Sequence, residues 1–182
     1  MTFDCFTRVE TETDHDAVHA LHYAAFDCED DVPNMVKDLR GFDGGFATIS
    51  LVAEVDGQGP VGHVMVSHAW LDADNRLIDV AVLSPLGVHP DAQRRGIGKA
   101  LIKVAIEAVG ATGVPLLFLE GDHRYYGPRG FEKAMDLGFR RPSLRIPENA
   151  FQVVRLAGYS EDMTGTFVYH DVHWRHGVGL YR

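Results

Sequence analysis

The chain has 182 residues, a formal net charge of −9 and two cysteines, Cys5 and Cys28. That length suits a single domain, which buries roughly 70% of its unfolded surface and needs no staples. The acidic balance argues against a general nucleic-acid binder. The two cysteines are too few for a disulfide framework and lack metal-ligand spacing, which fits a reducing compartment. No basic-then-apolar leader opens the chain, and no apolar run approaches the ~18 residues of a membrane span. The expected location is therefore cytoplasmic, with no membrane partner.

In chain order, Phe3 to Glu10 reads as an edge strand, with Phe3, Cys5 and Thr7 on one face and Phe6 on the other. Thr13 or Asp14 is the expected cap of a helix to about Phe26, in which Val18, Leu21, His22 and Ala25 recur at near-helical spacing. An acidic knot (Asp27, Glu29, Asp30, Asp31) precedes a short second helix beginning at Pro33 and ended by Gly41. Ile49 to Val55, Val61 to Leu71 and Ile78 to Leu83 read as three strands joined by polar turns, an antiparallel meander.

The pattern then changes. Gly98 to Val109 is helical, with Ile97, Leu101, Val104, Ala105 and Ala108 as the expected apolar stripe. Lys99, Lys103 and Glu107 follow at i, i+4 spacing on the wet side. Pro115 to Leu119 is a short, continuous apolar run, as a strand buried on both faces requires. His123 to Lys133 holds a helical stretch broken at Gly127-Pro128; Leu137 to Arg140, Phe151 to Leu156 and Thr166 to Trp174 are further expected strands. There is no repeat, no low-complexity segment and no linker long enough to divide the chain. The expected fold class is α/β (α+β), one mixed sheet with flanking helices.

One stretch carries chemistry. In Leu86 to Leu101 an apolar run ends, His89-Pro90-Asp91 turns the chain, and Gln93-Arg94-Arg95-Gly96-Ile97-Gly98 opens a helix. Unpaired N–H groups, a helix macrodipole and nearby guanidinium groups there favour a phosphate-bearing ligand. It is not a Walker A loop: Gly98-Lys99 is followed by Ala100, and Gln93 stands at the first glycine position, so the magnesium-binding hydroxyl is absent. Nor is it a dinucleotide fingerprint, since only Gly96-x-Gly98 is present and antiparallel strands precede it.

Gln93, Gly96 and Gly98 do satisfy Gln/Arg-x-x-Gly-x-Gly/Ala, and downstream Tyr126 stands five residues before Phe131 of Gly130-Phe131. Together these motifs resemble the acetyl-CoA site of the GNAT superfamily of N-acetyltransferases. Glycines without a Cβ let the backbone close on a pyrophosphate, and an arginine adds charge-assisted bonds. The resemblance covers about residues 7–156 of a single domain, 1–182, and leaves 157–182 as a C-terminal strand extension. It implies a mostly antiparallel sheet with a splayed parallel strand pair. It further implies that Leu86, Gly87, Val88, Gln93, Arg94, Arg95, Gly96, Ile97, Gly98, Lys99 and Asp122 hold acetyl-CoA, without a metal. Tyr126 would be the general acid that protonates the departing thiolate; Tyr125 is assigned to packing.

The implied reaction is N-acetylation of a primary amine, on a small molecule or a protein, by direct attack in a ternary complex. No cysteine in the motif region offers an acyl-enzyme. The general base is open among Asp79, Glu120, His63 and His68, each of which has a structural reading too, and a water chain is another route. The acidic knot either attracts the amine or is simply solvated. His170, His173 and His176 step by three across an expected strand and turn and would not share a face, so no metal site is expected. A non-catalytic acyl-CoA sensor is the competing reading, and a homodimer is left open.

Overall fold

The computed structural model describes residues 5–27, 29–42, 44–55 and 57–178; Phe3, Cys28 and Asp56 lie outside them. The first strand, β1 (Cys5–Val9), leads into a 3-10 turn (Glu12–Asp14) capped by Thr11 through a capping box shared with Asp14, and Asp14 in turn occupies the N-cap of the helix that follows, without a side-chain cap hydrogen bond. Helices α1 (His15–Ala25) and α2 (Asp31–Arg40) follow, α2 beginning two residues before Pro33. Then come β2 (Ile49–Val55), the long β3 (Gly59–Ala73) and β4 (Leu77–Val88), which runs five residues past the expected end at Leu83.

Helix α3 (Ile97–Gly110) connects β4 to β5 (Leu116–Glu120). The chain continues through the short α4 (His123–Tyr126), β6 (Glu132–Lys133), β7 (Phe139–Arg140), β8 (Phe151–Arg155), β9 (Gly165–Val168) and α5 (Asp171–Arg175). Three expectations are corrected here. The helical stretch expected over His123 to Lys133 is broken at Gly127-Pro128 as expected, where α4 passes into a 3-10 turn (Gly127–Arg129), but it does not resume after Gly130, whose φ of 96° suits a residue without a Cβ, and Glu132–Lys133 is strand β6. Leu137 closes a 3-10 turn (Ala134–Leu137), so the strand expected from it begins only at Phe139. The strand expected over Thr166 to Trp174 ends at Val168, and Asp171–Arg175 is helical.

The described strands form one sheet in the order β1-β2-β3-β4-β5-β8-β6, with β9 pairing β3 and β7. Along that path every neighbouring pair is antiparallel except β4 and β5. Strand β9 lies against Trp70–Ala73 of β3, beyond the reach of β2, so the C-terminal segment is a member of the sheet and not an appendage to it.

Alternation along β4 and β5 separates two apolar layers. Ala81, Leu83, Leu117 and Leu119 face α3, whereas Val80, Val82, Leu116 and Phe118 face the opposite side. On α3 the fully buried positions are Ile97, Gly98, Leu101, Ile102, Ala105 and Val109; Val104 and Ala108 of the expected stripe are only half-buried. Fully burying a side chain such as Leu101 contributes roughly 1.5–3 kcal/mol. Helices α1 and α2 cover the other face through Val18, Met35, Val36 and Leu39, packed on Val52 and Met65.

That second face also carries buried polar groups. Arg40 pairs with Glu10 at 2.7 Å, and the Ser50 hydroxyl donates to Glu10 Oε2 at 2.6 Å. With its proton so engaged, Ser50 Oγ can only accept, from His63 Nε2 at 2.8 Å. His63 Nδ1 is then bare and accepts from His22 Nε2 at 2.7 Å, which leaves His22 Nδ1 unprotonated. It has no partner among the described residues and lies against the Gly87 backbone, where a Cβ would meet it at 2.7 Å. Burial pushes His63 down to about 3 and His22 well below the usual histidine range. His173 of α5, also buried, is held down at about 4 by the same cause.

These histidines fix the sign of the acid response. The unfolded chain protonates them near pH 6.5, the folded one only far below, so stability falls as pH drops through 6.5. Glu120, raised by burial to about 7, opposes them with one proton between pH 4.5 and 7. Three histidines outweigh one carboxyl, and the melting temperature should rise between pH 5 and pH 6.5, as scanning calorimetry would read. A midpoint unchanged across that interval would mean that the native chain already carries protons on these rings.

Candidate functional site

The site begins with a defect in the sheet. Strand β4 pairs with β3 at Val66↔Leu83 and next at Val64↔Leu86, so Ser84 and Pro85 together oppose the single residue Met65. Such a bulge bends its strand and increases the local twist, and a proline has no N–H to give a ladder. On its other edge β4 pairs with β5 only at Ala81↔Leu117 and Val82↔Phe118. Continued, that register would set Ser84 beside Glu120. Instead the strands part there, and no pairing to β5 joins the β4 backbone from Leu83 to Val88.

A groove of about 540 Å³ opens beside the end of β4. Its lining includes Leu86 and Val88 from β4, Gln93, Arg94 and Gly96 from the loop, Ile97, Gly98 and Lys99 from the first turn of α3, and Tyr126. Three residues of the expected set are not part of that lining. Gly87 points to the opposite face, towards Leu21 and His22. Arg95 is exposed, and Asp122 caps α4 through the Arg124 N–H while its carboxylate pairs with the Arg124 side chain at 2.8 Å. That arginine holds the Asp122 carboxyl below its usual range.

The loop is shaped by local chemistry. The Gln93 side chain donates to the Val88 carbonyl at 3.1 Å and ties the loop to the strand end. Arg94 and Gly96 both take the left-handed backbone conformation, at φ 61° and 86°. For Arg94 that conformation costs energy, of order 1 kcal/mol or more; for Gly96 it does not. The result is a helix start with exposed N–H donors and no acidic side chain in the first turn of α3. Gly98 has no room for a Cβ, because the Tyr125 hydroxyl occupies that place.

Tyr125, expected only to pack, and Arg129 also line the groove. The Arg129 guanidinium lies 3.8 Å from the centroid of the Tyr125 ring and donates to the Tyr125 carbonyl. The signal was present in the adjacent aromatics and the basic residue four positions on, but only the fold brings them over Gly98. Tyr126 packs its ring edge against the Gly121 backbone and lies 5.7 Å, edge-on, from Phe131. It belongs to the layer on the α3 side of the sheet.

Glu120 shares the parity of Phe118 and so projects to the other side, where the Tyr169 hydroxyl donates to its Oε1 at 2.5 Å. Desolvation raises its carboxyl to about 7 against the lowering effect of that hydrogen bond. The remaining base candidates are placed elsewhere. His63 is neutral within the buried chain from Arg40 to His22. His68 and Asp79 bond each other at 2.8 Å, and Asp79 sits at the opposite end of β4, lining a different groove with Phe46, Thr112 and Pro115. His170, His173 and His176 do not converge: the last bonds Asp38 of α2 at 2.8 Å, and His173 stacks on Tyr169.

Comparison with known proteins meets the same region. Residues 47–133 match the model of an Acetyltransferase (GNAT) domain. An uncharacterized N-acetyltransferase of Escherichia coli K12, YjhQ, is 29% identical over 150 residues, 81% of each chain. The crystal structure of the E. coli GNAT family N-acetyltransferase YhbS, in complex with CoA, superposes with a TM-score of 0.84 at 28% identity, covering 96% of this chain and 94% of that one. A GNAT family acetyltransferase of Brucella melitensis, in complex with acetyl-CoA, gives a TM-score of 0.72 at 25% identity over 93% of this chain and 98% of its own. The parted strands and the glycine-spaced helix start agree with these similarities: residues 47–133 match the GNAT acetyltransferase domain, and the chain as a whole is similar in sequence and fold to GNAT family N-acetyltransferases.

Proposed function

We propose that this chain transfers the acetyl group of acetyl-CoA to a primary amine by direct attack in a ternary complex, with Tyr126 as the acid and Glu120 as the base. The observation that carries the reading is the placement of these two groups on opposite faces of the sheet at the point where β4 and β5 part. The groove fits the donor: bare N–H groups, Arg94 and Lys99 suit a pyrophosphate, and the free edge of β4 suits an amide-bearing arm. A backbone N–H at Leu86 or Gly87 is the oxyanion donor. YhbS with CoA and the Brucella protein with acetyl-CoA support the donor. The acceptor is an amine of a small molecule or a protein.

Proton bookkeeping assigns the roles. A primary amine arrives as an ammonium and is a nucleophile only after losing a proton. Glu120, with its carboxyl near 7, takes that proton at neutral pH, directly or through one water. The nitrogen bonds to the thioester carbonyl carbon, the C–S bond breaks, and Tyr126 delivers a proton to the departing sulfur, its phenolate being restored by the second proton that the nitrogen sheds on becoming an amide. The products are an N-acetylated amine, a free thiol and one proton released through Glu120. A sensor without turnover was attractive while no base was evident; Glu120 at the strand opening removes that ground.

Three outcomes test this reading, with thiol release from acetyl-CoA measured against a panel of spermidine, L-lysine and an alanyl peptide. Tyr126→Phe should lower turnover by about 10²-fold or more while leaving acetyl-CoA affinity within a few-fold; an unchanged rate would remove Tyr126 from the acid role. Glu120→Gln should lower turnover comparably and abolish the acid limb of the pH–rate profile, and a variant with wild-type turnover would refute the base assignment. Gly96→Val forces a β-branched residue into the left-handed region and should weaken acetyl-CoA binding at least tenfold by calorimetry. Undiminished affinity would place the phosphates elsewhere.

A further inference from the structure

We propose that Tyr169 is a positioning residue for Glu120, so that the C-terminal β9–α5 segment is part of the acetyl-transfer site. The inference rests on the reading of Glu120 as the base. Tyr169 lies beyond the 47–133 span matched to the GNAT domain, 49 residues from Glu120 in sequence. It reaches Glu120 because β9 pairs with the far end of β3 and delivers the chain to the face opposite α3. The phenol is 3% exposed and clamped on three sides. The Phe167 ring meets it edge-on at 4.8 Å, Trp174 edge-on at 5.5 Å, and His173 stacks on it at 4.9 Å. A ring held that way presents its hydroxyl at one point, and Glu120 Oε1 is 2.5 Å from it.

The consequence is chemical. A carboxylate removed from water favours its protonated form, and a base that keeps its proton at neutral pH accepts none from an ammonium. A phenol O–H donated to the carboxylate stabilises the anion and works against that tendency. It also fixes one oxygen, leaving Oε2 for the acceptor. The other groups on neighbouring elements are accounted for. His173 of α5 stands behind the phenol, kept neutral by burial. His123 of α4 is tied to Gln152 of β8 at 2.9 Å, Asp122 is paired with Arg124, and Phe151, opposite Glu120 on β8, carries no charge. Ser84 is the uncharged β4 residue at the same level.

The test reads the ionisation of Glu120 without needing the acceptor. In the full chain labelled with carboxyl-¹³C glutamate, the Glu120 resonance is identified by its loss in Glu120→Gln and titrated by NMR. Tyr169→Phe should move its midpoint up by about one pH unit. With 3,5-difluorotyrosine at position 169, a stronger donor of nearly the same shape, the midpoint should move down, which keeps the test valid if the phenylalanine variant fails to fold. In thiol-release assays with the same amine panel, the acid limb should follow the midpoint in each variant while the KM for acetyl-CoA stays constant. A midpoint indifferent to both substitutions would overturn the assignment of Tyr169. If the midpoint shifts but Glu120→Gln keeps full turnover, the base reading fails instead and Tyr169 is a structural partner only.

Discussion

The parting of β4 from β5 is the constraint on which the rest of the site depends. A parallel pair joined at two positions leaves six residues of β4 with a free edge inside an otherwise continuous sheet. Backbone groups left unpaired in a protein interior are costly, so a break of this kind persists only where something else is to fill it. The bulge at Ser84-Pro85 opens it: two residues against one turn the strand, and the proline withdraws a donor. Downstream, the same strand delivers the chain to the left-handed turn at Arg94–Gly96 and hence the start of α3. Thus a single irregularity positions both the free edge and the anion-favouring helix terminus.

The two faces of the sheet are divided in chemistry as well as in packing. The α3 face is apolar between the His68–Asp79 pair at one end and the groove at the other, where Tyr125, Tyr126 and Arg129 gather over Gly98 and Gly121. The opposite face holds the buried His22, His63 and His173, with Glu120 and Tyr169, among its hydrophobic residues. Burying such groups opposes folding unless each proton has a place, and the chain from Arg40 through Glu10, Ser50 and His63 to His22 assigns one tautomer to each ring. That order is bought with stability at acid pH. It leaves an acceptor nitrogen, His22 Nδ1, against the β4 backbone beside the opening.

Much of the fold was legible because its signals are local. Strand β2 is bounded as alternation and flanking turns suggest, and the α3 terminus is announced by glycines whose freedom a left-handed turn requires. The misread segments are those where short-range preference was ambiguous. Asp171–Arg175 contains valine, tryptophan and histidines that suit a strand as well as a helix, and it is helical because Val172 and His173 are buried against their neighbours. Ile102 and Val109 replace Val104 and Ala108 on the buried stripe because the face that α3 seats on the sheet is turned toward Gly98 and Ala105, which leaves Val104 and Ala108 at its margin.

By itself the sequence determined the cofactor side of the protein: the phosphate-favouring loop, the tyrosine five residues before Phe131, and the family that these motifs resemble. Loop geometry there is written in residues within a dozen positions of one another, and glycine, proline and arginine act through their own backbone and charge. Only the tertiary structure decided which acidic group stands across the opening from Tyr126. In the linear chain Glu120 is one of several acids and histidines of similar promise. Its distinction comes from the register that ends at Val82↔Phe118, from the parity that turns it away from α3, and from a phenol supplied 49 residues later. Pairing register and burial are long-range properties, and they set both where a carboxyl points and when it gives up its proton.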